Sequence, residues 1–152
     1  MKGAVNIVFL CTGNICRSPM AEFIMKKLIG DCGLEDRFKI SSAACTSEEI
    51  GNDIYPPAKR KMREKGIPFT YHAARRVTRT DMDNADYVVV MDGWNIRSLE
   101  ANFGKTYSDK TYRILEFTGE NRDVSDPWYT GDFETAYTEI ERGCRALLER
   151  CR

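Results

Sequence analysis

No stretch of the chain is apolar for long enough to cross a membrane, and neither sign of charge prevails, with 23 Lys and Arg against 23 Asp and Glu. Without a net field, the usual electrostatic reason to bind nucleic acid or an anionic membrane is missing. The basic runs KRKMREK (59–65) and ARRVTR (74–79) read as solvated helix and loop faces, or at most as an edge that draws in anionic substrates. No cleavable apolar leader follows Met-Lys-Gly, which runs almost directly into AVNIVFL. Internal repeats, low-complexity tracts and inter-domain linkers are absent, so one domain over 1–152 is expected. There is one histidine, and no cysteine lies between residues 46 and 143. The six cysteines have none of the context of a secreted disulfide scaffold, which fits a reducing cytoplasm. Cys144 and Cys151, seven apart in a helical pattern, read as small core residues.

What is present alternates between strand and helix patterns, the mark of an α/β domain with a parallel sheet. VNIVFL (5–10) is a continuous apolar run of the kind buried on both faces. Ala21, Ile24, Met25 and Leu28 repeat at i, i+3, i+4, i+7, predicting a helix that Gly30 ends. Strands are expected at FKISSA (38–43), DYVVVM (86–91) and TYRILEF (111–117), and helices at PPAKRKMREKG (56–66) and GWNIRSLEANFG (93–104). Phe133, Ala136, Tyr137, Ile140, Cys144, Leu147, Leu148 and Cys151 share one face of a long final helix. The periodicity amounts to four strands and about five helices.

The first strand runs into Cys11, and CTGNICRS (11–18) follows it before the first helix. Cys11 therefore sits at the carboxyl edge of the sheet, where open α/β folds bind ligands. The unpaired N–H groups and positive end of the helix that begins near Arg17 point back at this loop. Both the helix and Arg17 favour a negatively charged sulfur, which is nucleophilic without an adjacent base. Gly13 lets the backbone approach and bend, and Asn14 tolerates a left-handed conformation. Consecutive N–H groups turned inward form an anion-binding nest, and Arg17 is able to bridge two phosphoryl oxygens. Ser18 is placed to donate to the Cys11 sulfur. The second glycine and the lysine of a nucleotide-binding G-x-x-x-x-G-K-[ST] loop are missing.

VFLCTGNICRSPMAE (8–22) resembles the N-terminal signature of the low-molecular-weight protein tyrosine phosphatases almost position for position. The resemblance continues through SSAACTSEEIGN (41–52), GIPFTYHAARRVT (66–78), YVVVMD (87–92) and SDPWYTGDFETAY (125–137). It implies an α/β fold, a four-stranded parallel sheet flanked by helices on both faces, with an N-terminal phosphate-binding loop of Thr12, Gly13, Asn14, Ile15, Cys16, Arg17 and Ser18. It also implies that Cys11 attacks phosphorus, that Arg17 and the loop amides stabilise the transferring group, and that Asp126 is the general acid and later base. One carboxyl serving both steps agrees with the need to protonate a phenolate leaving group. Asn14, Ser18, Ser42 and His72 match a network that supports the loop. Trp128 and Tyr129, beside the acid, suit a wall for a phenyl ring. Cys16 matches a residue that in relatives forms a reversible disulfide with the nucleophile, although a small packing residue is an equal reading. Asp92 reads first as a helix N-cap and second as a support for Arg17. Glu48 departs from the pattern, since the family has a bulky, commonly aromatic side chain there, and a carboxylate at the mouth repels acidic peptides.

The expected protein is a cytoplasmic, monomeric phosphatase acting on phosphotyrosine proteins, with no metal or other cofactor, no nucleic acid and no membrane partner. Three alternatives stand beside it. An arsenate reductase on this scaffold needs downstream relay cysteines, which the gap from 46 to 143 denies. Protein-arginine phosphatases resemble this loop but carry a small polar residue at the position of Ile15, whose branched apolar side chain suits a flat phenyl ring. An inactive phosphotyrosine-binding module has no need of an acid in the DP loop.

Overall fold

The computed structural model describes residues 3–152. Strand β1 (Val5–Cys11) lies at the centre and pairs in parallel with β2 (Phe38–Ala44) on one side and β3 (Tyr87–Val90) on the other. β4 (Thr111–Arg113) pairs in parallel with β3, giving the order β2-β1-β3-β4. The chain passes from β1 out to β2 on one side and then from β2 back across to β3 on the other, so the carboxyl end of β1 lies at the switch point of the sheet.

Alternation along the strands fills two cores, one on each face. Ile7, Phe9 and Val89 join the core under helices α1 (Arg17–Asp31), α2 (Pro56–Glu64) and α6 (Phe133–Cys151). Val8, Leu10, Val88 and Val90 face the opposite core with Met82 of α3 (Arg79–Asn84) and Leu99 of α4 (Gly93–Phe103). Each such fully buried aliphatic or aromatic side chain contributes about 1.5–3 kcal/mol. The predicted stripe of α1, Ala21, Ile24, Met25 and Leu28, is buried, as is that of α6 as far as Leu148, with Cys144 inside the core and Cys151 half-buried.

Four elements differ from the sequence reading. Helix α1 passes through Gly30 to Asp31, and the reversal is made at Gly33, with φ 68°. There Leu34 N–H donates to Ile29 O and Gly33 N–H to Gly30 O, the paired bonds of a Schellman stop. TYRILEF is strand only to Arg113, because residues Ile114–Thr118 wind into a 3₁₀ turn beneath α6. Arg113 N–H donates to the Glu116 carboxylate at 2.7 Å, and Ile114 and Leu115 become core. The fit there is close, since a Cβ on Gly143 would come within 2.6 Å of Ile114 Cγ1. Two short helices, α3 and α5 (Pro127–Thr130), at six and four residues, are too brief to show a 3.6-residue period.

Candidate active site

The segment between β1 and α1 wraps around the Cys11 side chain. Asn14 has φ 61°, the left-handed conformation its side chain tolerates. Gly13 has no positive φ and serves closeness instead, as a Cβ there would meet Glu49 Cγ at 3.1 Å. Among the described residues, the backbone N–H groups of Gly13 through Arg17 find no acceptor, while Ser18 N–H donates to Cys11 Sγ at 3.4 Å. A run of unsatisfied amides over a sulfur at a helix N-terminus is an anion site.

Arg17 is 1% exposed and held by acceptors from two later loops. Its Nη1 donates to Asp92 Oδ2 (2.8 Å) and to the Val124 carbonyl (2.7 Å), and its Nη2 to Asp126 Oδ2 (3.3 Å). Burial opposes its charge, but the Cys11 sulfur, Asp126 and Asp92 outweigh that and hold the guanidinium protonated, above its ordinary range. Three of five N–H groups are used, leaving the Nε and one Nη2 hydrogen for a two-point grip on an oxyanion. Asp92 fills both roles read for it: Oδ1 caps α4 through Asn95 N–H at 2.9 Å, and Oδ2 holds Arg17. Asp126 likewise opens the α5 turn, where Oδ1 accepts from Trp128 N–H at 3.0 Å.

Hydrogen-bond direction is fixed along the support of the loop. Asn14 Oδ1 accepts from Arg75 N–H (3.2 Å), a group that only donates, which orients the amide. His72 Nε2 therefore donates to the same oxygen at 2.9 Å, and burial lowers the His72 pKa and keeps the ring neutral. Asn14 Nδ2 donates to Ser18 Oγ (2.8 Å) and Ser42 Oγ (3.0 Å), and Ser42 Oγ donates to Glu22 Oε1 (2.6 Å). Ser18 Oγ lies 3.0 Å from Cys11 Sγ and keeps its one hydrogen available to donate to a negatively charged sulfur.

The pocket over Cys11 is walled by Ile15, Trp128 and Tyr129 and rimmed by Thr46, Glu48, Glu49 and Asp126. Tyr55 fixes two of the walls: its N–H donates to Ile15 O at 2.8 Å, and its ring lies 4.6 Å from that of Trp128. Cys16 is buried beside the pocket; burial first, then the Cys11 sulfur and Asp126, push its thiol well above the usual range, so it stays protonated.

A family model described as low molecular weight phosphotyrosine protein phosphatase matches residues 6–152. The chain belongs to the low molecular weight phosphotyrosine protein phosphatase family. It is 39% identical over 146 residues to low molecular weight protein-tyrosine-phosphatase YfkJ of Bacillus subtilis (strain 168), covering 95% of this chain and 94% of that one. The YfkJ crystal structure matches with a TM-score of 0.94 at 38% identity, over 98% of this chain and 95% of the other. The low molecular weight phosphotyrosine protein phosphatase of Homo sapiens is 38% identical over 150 residues, covering 95% and 94%. A structure of the YwlE arginine phosphatase with a phosphorylated active-site serine also matches, with a TM-score of 0.84 at 31% identity over 96% and 95% of the two chains. Among the described residues of this phosphatase, no helix is long and apolar enough to cross a membrane.

In this member of the phosphatase family, every residue named from the sequence for the site converges on one sheet edge. Cys11, Thr12, Gly13, Ile15, Cys16, Arg17, Glu48, Asp126, Trp128 and Tyr129 line the pocket, and Asn14, Ser18, Ser42 and His72 are linked behind it. Sequence reasoning missed Glu22, Glu49, Tyr55 and the Val124 carbonyl. Glu22 lies within the signature, one helical turn after Ser18, and a carboxylate on the buried side of α1 was its available sign. Nothing in a side-chain pattern announces a backbone carbonyl.

Proposed function

We propose that the protein hydrolyses phosphotyrosine and other aryl phosphates by two displacements, within a single phosphatase domain. The observation that carries this reading is Cys11 Sγ beneath unpaired loop amides, with Arg17 offering a free two-point edge and Asp126 beside it. The Cys11 sulfur attacks phosphorus; the S–P bond forms as the P–O(aryl) bond breaks, and Asp126 gives its proton to the leaving oxygen. Asp126 then takes a proton from water, the water oxygen attacks phosphorus, and the P–S bond breaks to return the thiolate and release phosphate. Arg17 and the loop amides balance the charge that spreads over the equatorial oxygens. Ser18 steadies the sulfur as leaving group. Should a peroxide convert Cys11 to a sulfenic acid, Cys16 attacks the Cys11 sulfur on losing its own proton; the S–S bond forms as the S–OH bond breaks, water leaves with that proton, and a dithiol reverses the disulfide.

Ile15 and Trp128 support an aryl group over a phosphoguanidinium, because a flat apolar ring fills the space between them without burying unpaired N–H donors. Side-by-side kinetics on phosphotyrosine, phosphoarginine and phosphoserine peptides test this. The phosphotyrosine peptide is expected to exceed the others in kcat/KM by at least about 100-fold. A phosphoarginine optimum would reassign the substrate.

Asp126→Ala separates the two proton steps from phosphoryl binding. Turnover of aryl phosphates with basic leaving groups is expected to fall about 10²–10⁴-fold, and of those with acidic leaving groups much less. The slope of log kcat against leaving-group pKa reads this directly; a slope unchanged from the parent removes Asp126 from the acid role.

A further inference from the structure

The chain has no net charge, yet the titratable side chains around the active site are lopsided. Glu48, Glu49, Asp92, Asp123 and Asp126 line the catalytic pocket and its adjoining groove, against the single guanidinium of Arg17. The groove shares Thr12, Thr46, Asp126 and Tyr129 with the pocket and passes Trp94 to reach Asp123. Its volume of about 720 Å³, beside about 120 Å³ for the pocket, leaves room for chain beyond the aryl group. Two large aromatic side chains stand open along it, Trp94 at 72% exposed and Tyr129 at 83%. Trp94 already receives one cation, the Arg97 guanidinium 4.3 Å from its ring centroid, and it keeps most of its surface exposed.

The countercharges do not cover these carboxylates. Asp123 is matched by Arg113, but Asp92 and Asp126 share Arg17. Among the described residues Glu48 and Glu49 have no cationic partner, Glu49 accepting from the Asn52 amide. A phosphoryl group adds about −1.5 to −2 charge and draws on the same guanidinium. An anionic substrate thus approaches a rim that repels it, unless the substrate brings cations of its own.

We propose that this rim and groove select phosphotyrosine segments carrying arginine or lysine beside the phosphotyrosine. One basic side chain lies along Trp94 and Tyr129, and another against Glu48 and Glu49. The inference rests on the phosphotyrosine activity proposed above, so its test includes a substrate without flanks.

Three phosphotyrosine peptides, identical except for flanking Arg, Ala or Glu, are compared with a single-ring aryl phosphate at low and high ionic strength. The expected kcat/KM order is Arg above Ala above Glu, spanning at least about ten-fold at low salt and narrowing as salt screens the rim. Glu48→Lys combined with Glu49→Lys flattens or reverses the order. Trp94→Ala lowers the ratio of the Arg to the Ala peptide about three-fold. Equal kcat/KM for the three parent-enzyme reactions at low salt, or an optimum with Glu, overturns the proposal, as does a charge-reversed variant that keeps the parent order. Failure to hydrolyse the single-ring phosphate has a different meaning: the phosphatase reading itself falls, and this inference with it.

Discussion

Cys11→Ser is expected to lower hydrolysis of an aryl phosphate by at least about 10⁴-fold while phosphate binding survives. The reason lies in what surrounds the sulfur. Ser18 offers it an O–H at 3.0 Å and an N–H at 3.4 Å, and among the described residues no side chain hydrogen-bonded to it is a base. His72, the one imidazole of the chain, is committed to Asn14. A thiol becomes a strong nucleophile by losing its proton in that field, whereas a serine hydroxyl needs an adjacent base. The loop amides and Arg17 remain, so titration calorimetry with inorganic phosphate should still detect binding. A serine variant within ten-fold of parental turnover would remove Cys11 from the nucleophile's role.

Arg17→Lys comes second in expected size, with turnover falling about 10³-fold, or about 4 kcal/mol of barrier. Charge is conserved in this change, so the loss isolates geometry. The guanidinium reaches Asp92, Val124 O and Asp126 at once and still presents two parallel donors. One ammonium on a flexible stem reaches fewer of these groups and grips an oxyanion at a point. Asp92 loses part of its buried partner, and denaturant unfolding should show a stability loss of up to about 3 kcal/mol. Parental kcat in the lysine variant would show that two-point contact is dispensable.

The sheet and the loop were legible because their patterns are local. A buried strand ending in Cys11, a glycine and an asparagine next, then an arginine at a helix start, together specify a loop conformation and a charge, and the φ of 61° at Asn14 matches. Asp126 was placed through family resemblance, since an Asp-Pro pair alone describes a turn as well as an acid. The structure shows the turn, through Oδ1, and sets Oδ2 beside Arg17 at the pocket. Less legible was whatever depends on packing between distant elements. Ile114 and Leu115 look like strand until α6 lies over them with Gly143 at the contact. The hold of Asp92 on Arg17, across 75 positions of chain, was read only behind its N-cap role, because no local window contains both residues. Glu22 is similar: its partner Ser42 comes from another strand.

Asn14 sets the loop's local comfort against its connectivity. A glycine would occupy φ 61° without strain, where a non-glycine residue of this kind bears on the order of 1–3 kcal/mol. Yet glycine would cut the links to His72, Arg75, Ser18 and Ser42 in a single step. At about 0.5–1.5 kcal/mol net per bond, and more where a buried partner is left unpaired, those four links outweigh the strain. Heat resistance and an intact cradle therefore draw selection to the same side chain.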